Sequence, residues 1–292
     1  MQRFDSAQDL LRLAAEGNTS IADVVIDFEC HRTQESREDA IACMRSRLKT
    51  MAESIEKGRA IRTRTHSGLS GGDAALLAEA RDERAPILGD LARRVMTDAL
   101  AVAELNASFG KIVAAPTAGA SGILPAVIVN VGDAVSASED DRVRALFTAA
   151  GIGTLIAKHA TLAGAEGGCQ AECGAGAAMA SAAAADLRGG DPETILHAAA
   201  LALKNALGLT CDPVAGLVEV PCVKRNGFYA VHALVAADMA VAGVRSEIPF
   251  DEVVSSMRET GRLMSNTLRE SSLGGLATTQ TAKDVEKRLA MG

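Results

Sequence analysis

Tryptophan is absent from the chain, tyrosine occurs once, as Tyr229, and aromatic residues make up only 2% of 292 positions. A core without rings has to be packed from aliphatic side chains. Hydrophobic residues amount to 48%, supplied largely by Ala, Leu, Val, Ile and Met. Alanine has the highest helix propensity, whereas sheets draw on β-branched and aromatic residues. The expected fold is therefore all-α. The length allows one large domain or two ordinary ones, but no internal repeat and no low-complexity linker divides the chain. A single compact helical domain with glycine-rich loops is expected.

Other absences narrow the function. No apolar run approaches the roughly 20 residues that cross a bilayer, and the charged N-terminus lacks the apolar stretch of a signal peptide. A soluble cytoplasmic protein with no membrane partner is expected. The net charge is −7 and no dense basic cluster occurs, which argues against a nucleic-acid partner. Neither Gly-x-Gly-x-x-Gly nor a Walker ending is present, so no dinucleotide or P-loop site is expected. Six cysteines in a chain of this size do not read as a disulfide framework.

Helix signals run along the whole chain. Ser20 with Asp23, Ser36 with Asp39 and Ser138 with Asp141 pair a cap with an acid three residues on. Apolar residues from Ile41 to Ile55 step by three and four, and Gly58 is placed to end that helix. Asp73 is expected to cap a helix. Helices are further expected over 87–108, over Ile123–Val131 with Pro125 in the first turn, and over Asp140–His159, where Gly151 and Gly153 suggest close packing. Ala175–Leu187 reads as a helix buried on all sides. Asp191-Pro192 starts another, running to Gly208, and two more are expected over Asn226–Gly243 and Phe250–Met264. Cys30 and Cys43 fall within helices and read as buried or neutral thiols.

Between the helices lie loops rich in glycine, proline and small polar residues. One is Arg62–Asp73, containing His66, Ser67, Gly68, Gly71 and Gly72. A second is Lys111–Gly122, where Pro116, Thr117, Gly119, Ser121 and Gly122 offer amides and hydroxyls to a carboxylate. Two more carry sulfur: Gly167–Gly174, with Cys169 and Cys173, and Cys211–Cys222, punctuated by Pro213, Gly216 and Pro221. A fifth is Arg269–Leu276. Iron–sulfur ligands are Cys thiolates. The spacing matches neither a ferredoxin run nor paired zinc knuckles. Spacing alone leaves a metal site and structural thiols both open. Four thiols would saturate a cubane as an electron carrier, while three would leave an iron open as a Lewis acid. If Gln170–Glu172 begins a helix, Cys169 and Cys173 share a face.

The blocks Ala115–Pro125, Gly168–Gly174 and Cys211–Cys222, with Ser67–Asp73 and Arg269–Leu276, resemble the α chain of iron–sulfur L-serine dehydratases over nearly the whole length. The resemblance implies a helical catalytic domain over residues 1–292 and a [4Fe–4S] cluster. Its ligands would fall on Cys169, Cys211 and Cys222, with Cys173 not a ligand. The implied activity is that of an L-serine ammonia-lyase in amino-acid degradation and gluconeogenesis, converting L-serine to pyruvate and ammonia with the open iron as Lewis acid. Single-chain relatives carry a regulatory part before this region and often a C-terminal cysteine. This chain ends Ala290-Met291-Gly292, so a separate β subunit in a higher oligomer is implied.

In the family the base histidine belongs to a Ser-His-Thr motif of the regulatory part. Here Thr65-His66-Ser67 stands instead, and the base is either His66 or a β-chain residue. His197 and His232 read as satisfied core residues. Ser67, Thr117, Gly119 and Ser121 are the candidate substrate-binding residues. Lys111, Lys224 and Arg225 flank the key loops as possible partners of a carboxylate. Alternatives are a related cluster lyase such as a cysteine desulfidase, a non-catalytic redox or iron-sensing protein, and a metal-free scaffold.

Overall fold

The computed structural model describes residues 3–80 and 86–291. Thirteen α-helices are present among them: α1 Ala7–Gly17, α2 Ile21–Thr33, α3 Arg37–Arg59, α4 Asp73–Glu79, α5 Gly89–Ala107, α6 Ile123–Ala134, α7 Glu139–His159, the single turn α8 Gly164–Gly167, α9 Ala175–Leu187, α10 Pro192–Lys204, α11 Cys222–Val241, α12 Phe250–Leu263 and α13 Gln280–Met291. A π-helical turn, Gln170–Gly174, leads into α9, and short 3-10 turns occur at Val214–Gly216, Asn266–Leu268 and Gly275–Thr278. No strand occurs among the described residues. A one-residue parallel bridge joins Cys211 to Arg269.

The helix starts follow the caps that the sequence displays. Ser6, Ser20 and Ser36 accept the backbone N–H three residues on, Ser138 and Asp141 form a reciprocal capping box, and Asp191 caps α10 with Pro192 at its first position. Each such cap contributes about 1 kcal/mol. The chain's centre is α9, whose residues from Ala175 to Ala185 are all buried. It is enclosed by α6, α7, α10 and α11. Nearly every side chain there is a methyl group or a hydrogen, so the surrounding helices approach closely, and one apolar core extends from Phe4 to Met257. On α7, a Cβ at Gly151 would stand 2.6 Å from Val25, and one at Gly153 would stand 3.0 Å from the Met179 sulfur. The close packing expected of these glycines is present.

Two expectations need correction. Gly58 does not end α3, which continues to Arg59. It is buried instead where α3 crosses α5, and a Cβ there would lie 2.0 Å from the Ala101 carbonyl oxygen. Asp73 is not the cap of α4. Gly72 holds that position in a left-handed conformation, and the free N–H groups of Gly72, Asp73 and Ala74 donate to the buried Glu104 carboxylate reaching across from α5. Cys30 is half-buried and Cys43 is exposed, so full burial holds for neither.

The α3–α5 crossing yields a stability test. Gly58→Ala is expected to lower stability by about 1–3 kcal/mol, the usual cost of overpacking. Its exposed neighbour, Lys57→Ala, should stay within about 0.5 kcal/mol. Urea midpoints at unchanged m-value measure both, and equal midpoints would contradict the contact.

Candidate active site

The sulfur loops are held by polar side chains that sit beside the cysteines in sequence. Gly168 turns the chain from α8 into the π-helical turn at φ +76, with a Cβ position only 2.6 Å from the Met264 sulfur and 2.8 Å from the Leu209 carbonyl oxygen. Glycine alone fits both demands. The next turn is pinned by Gln170, which has no exposure. Its amide donates to the Met257 carbonyl (3.0 Å) and accepts from the Gly208 N–H (3.0 Å). Cys169 and Cys173 thereby lie on one face with their sulfurs 3.5 Å apart.

Cys211 is fixed from both sides of its peptide. Its N–H donates to the Leu268 carbonyl at 2.9 Å, and its carbonyl accepts from the Glu270 N–H at 2.7 Å. Beside it, buried Asp212 accepts from Arg225 (2.9 Å) and from the Leu276 N–H (2.8 Å). The Ser272 hydroxyl donates to the Pro213 carbonyl at 2.7 Å. The Arg269–Leu276 loop is thus strapped over Cys211–Pro213. Cys222 opens α11, and Asn226 lies one turn further on. Its side chain donates to the carbonyls of Cys222 (2.9 Å) and Gly119 (2.8 Å) and accepts from the Gly122 N–H (2.8 Å). That one buried amide fastens the Thr117–Gly122 loop to the helix of the third cysteine.

The four buried sulfurs act on one another electrically. Burial, followed by the charge of Cys169, pushes the Cys211 thiol well up, and the same causes push Cys222 up to about 12. The hydrogen bond between Cys169 and Cys173 lowers the former and raises the latter, and the Arg225 guanidinium further favours charge on Cys169. Tyr229 is likewise raised to about 12, first by burial and then by Cys173 and Cys169. Such a dry, sulfur-rich group is unfavourable to anions unless a cation compensates them. Soft thiolate donors suit iron–sulfur chemistry. Among the described residues no three His, Cys, Asp or Glu side chains converge on a single ion. A cluster, with its irons at separate corners, needs its sulfurs further apart than one ion does.

Beside the sulfurs, Thr117 donates its hydroxyl to Glu172 Oε1 at 2.8 Å. Burial raises the Glu172 carboxyl above its ordinary range, against the opposing Thr117 hydrogen bond. Gly119 faces the same carboxylate, since a Cβ there would come within 3.3 Å of Oε1. Ser121 sits on this loop, fully buried, and its hydroxyl has no partner among the described residues.

His66 belongs to a second, adjoining arrangement. The buried Glu219 carboxylate accepts from the hydroxyls of Thr65 (2.6 Å), Ser67 (2.6 Å) and Ser70. The turn carrying His66 is therefore fastened to the Cys211–Cys222 loop. His66 itself is exposed, at the rim of a cleft of about 700 Å³ lined also by Ala215, Leu217 and Glu286. Of the other histidines, His232 bonds the Ala202 carbonyl, His197 accepts from the Ser246 N–H, and His159 bonds the Asp5 carbonyl.

The structure thus brings Cys169, Cys211 and Cys222 together, with Cys173 among them, and places Thr117 and Gly119 at Glu172. Ser67 and His66 stand apart from this group and are joined to it through Glu219. Of the flanking cations, Lys224 pairs with Asp73, Arg225 with Asp212, and Lys111 is exposed. Glu172, Glu219, Asp212 and Asn226 were not singled out from the sequence. A signal existed for Glu219, an acid between Val218 and Val220 in an apolar loop, and for Glu172, an acid between two cysteines.

Residues 16–277 match the family described as Serine dehydratase alpha chain. The chain is similar to the probable L-serine dehydratase, alpha chain, of Bacillus subtilis (strain 168), at 42% identity over 289 residues, 99% of this chain and 96% of that one. It is 40% identical over 284 residues to the L-serine dehydratase, alpha chain, of Peptoniphilus asaccharolyticus, covering 97% of each. The L-serine dehydratase of Streptomyces coelicolor is 38% identical over 284 residues, which span 94% of this chain but 60% of that longer one. With its loops, its helical fold and these likenesses in agreement, the chain belongs to the serine dehydratase alpha-chain family.

Proposed function

We propose that the chain is the catalytic α subunit of an L-serine ammonia-lyase, converting L-serine to pyruvate and ammonia. The observation that supports this reading is that Cys169, Cys211 and Cys222, from three separate segments, are all buried and near enough for the charge of Cys169 to act on the other two, with Thr117 bonded to Glu172 beside them. In this reading the three thiolates hold a [4Fe–4S] cluster. When bound, the cluster supplies a Lewis-acidic iron that eases departure of the substrate hydroxyl. The whole chain then serves as one catalytic domain, working in the cytoplasm with a separate β subunit. No helix among the described residues is long and apolar enough to cross a membrane.

The chain's own groups divide the remaining work. Arg225 sets a positive charge beside Cys169 and is itself oriented by Asp212, which favours thiolate over thiol. Thr117, Gly119 and Ser121 shape the substrate side of the site, and Ser67 holds its turn through Glu219. His66 is the base of this reading, taking the α-proton of serine. Loss of that proton and of hydroxide leaves an aminoacrylate, which tautomerises to an imine and hydrolyses in water to pyruvate and ammonia.

One observation favours a second reading, a non-catalytic iron–sulfur protein. Cys173 is a fourth buried thiol beside Cys169, and in that reading it would move away from Cys169 to serve as a fourth ligand. Variants purified without oxygen separate the two. Cys211→Ser is expected to lose iron, inorganic sulfide and serine-dependent pyruvate, whereas Cys43→Ser keeps all three. Cys173→Ser keeps cluster and activity if three ligands suffice and loses the cluster if four are needed. Sulfide release from L-cysteine exceeding pyruvate from L-serine would move the assignment to a desulfidase.

The His66 turn gives another expectation. His66→Asn should lower kcat by about 10²- to 10⁴-fold, the usual contribution of a general base, with iron content unchanged. Glu219→Gln puts an amide donor among three hydroxyl donors and should lower kcat about 10- to 100-fold through misplacement of the turn. Unaltered kcat in His66→Asn would reassign the base to the β subunit.

A further inference from the structure

A partly desolvated carboxylate gains from a cation or from a set of donors. Glu172 has one donor. Thr117 serves Oε1, and Oε2 accepts no hydrogen bond among the described residues. The cation that acts on it, Arg225, is occupied by Asp212, the Thr210 carbonyl and Cys169. The other charge that acts on it is Glu270, which is repulsive. Glu172 thus stands half-buried next to the sulfurs, with an Oε2 that no donor among the described residues engages and that solvent still reaches.

Two glycines let the backbone pack closely against that carboxylate. A Cβ on Gly164 would lie 3.0 Å from Oε2 and 3.1 Å from the Cys211 sulfur. A Cβ on Gly119 would lie 3.3 Å from Oε1 and 3.5 Å from Oε2. Neither glycine has the positive φ that would account for it on backbone grounds. The approach to Oε2 is therefore narrow, borders a negative charge, and has on one side Gly164, which also faces Cys211. It suits a compact cation attached to whatever the sulfur group acts upon.

We propose that Glu172 binds the α-ammonium group of the amino-acid substrate, with Oε2 accepting its N–H donors while Thr117 holds Oε1 in place. The proposal rests on the serine-lyase reading and adds a specificity determinant to it: the site selects α-amino acids over the corresponding hydroxy acids. An ammonium–carboxylate hydrogen bond is charge-assisted and short, and it gives the carboxylate the partner that the protein withholds.

The test uses cluster-loaded enzyme and two kinds of readout. In Glu172→Gln the KM for L-serine should rise about 10- to 100-fold, the range for losing a charged hydrogen bond. Inhibition by L-glycerate, which has a hydroxyl in place of the ammonium, should stay within about twofold. Equilibrium dialysis provides the second readout. Wild type should bind L-alanine more tightly than L-lactate, and Glu172→Gln should lose that preference through weaker alanine binding alone. Glu172→Asp, which keeps the charge but withdraws it by one methylene, should fall between the two. Parallel weakening of amino and hydroxy ligands, or no change in either, would overturn the proposal, as would loss of iron and sulfide in both variants. If wild type made no pyruvate from serine yet kept its preference for alanine, the lyase reading would fail and the ammonium site would stand.

Discussion

Desolvation at the sulfurs governs the rest of this structure. Cys169, Cys173, Cys211 and Cys222 are all nearly or fully buried, and thiols in such surroundings resist ionisation. The resistance is unequal. Cys169 is favoured as an anion by Arg225 and by its bond to Cys173, and a charge there makes ionisation of Cys211 and Cys222 harder still. A protein that used these groups only to fill space would have no reason to set a buried guanidinium beside them. A protein that must present several thiolates to a cationic centre needs both the burial, which strengthens attraction to that centre, and one fixed positive charge to begin the ionisation.

The burial and the positioning have different sources. Burial comes from α9, whose small side chains let four helices close around it and leave the preceding π-helical turn deep in the core. Positioning comes from polar residues adjacent to the cysteines: Gln170 beside Cys169, Asp212 beside Cys211, Asn226 one turn after Cys222 and Glu219 three residues before it. Each reaches across to backbone or hydroxyl groups of another loop. Buried amides and carboxylates of this kind are costly unless satisfied, so each loop has one low-energy place to sit. The cysteines and the loops facing them are ordered by the same short segments.

The helices were legible in the sequence because their signals are local. Ser20, Ser36, Ser138 and Asp191 cap what they were expected to cap, and the alanine run of α9 is buried on every side as its composition required. Gly58 and Asp73 misled for one reason: a glycine near a helix end and an acid before an apolar run have local meanings that tertiary contacts overrode, through Ala101 in one case and Glu104 in the other. At the site, the cysteine loops were legible from glycine and proline punctuation. The partners of Glu172 and Glu219 were not, because Thr117 lies 55 residues from the first and Thr65 154 residues from the second. No pattern of period two or three and a half carries contacts at that separation. An acid in an apolar loop announces that a partner exists without saying which.

Glu172 also constrains the chemistry assigned to its neighbours. A carboxylate that held the substrate ammonium with one oxygen and Thr117 with the other would have its proton affinity lowered by both bonds and would make a poor base for the α-proton. Gly119 and Gly164 press it from two sides, so it cannot swing to reach that proton without leaving the ammonium. The base must then approach from a different face of the α-carbon. In the proposed pose the substrate hydroxyl would face the sulfur group, since Gly164 borders both Cys211 and Glu172 Oε2. The Cys211–Cys222 loop borders that group, and the turn fastened to it from outside, through Glu219, carries His66, the base of the proposed reading.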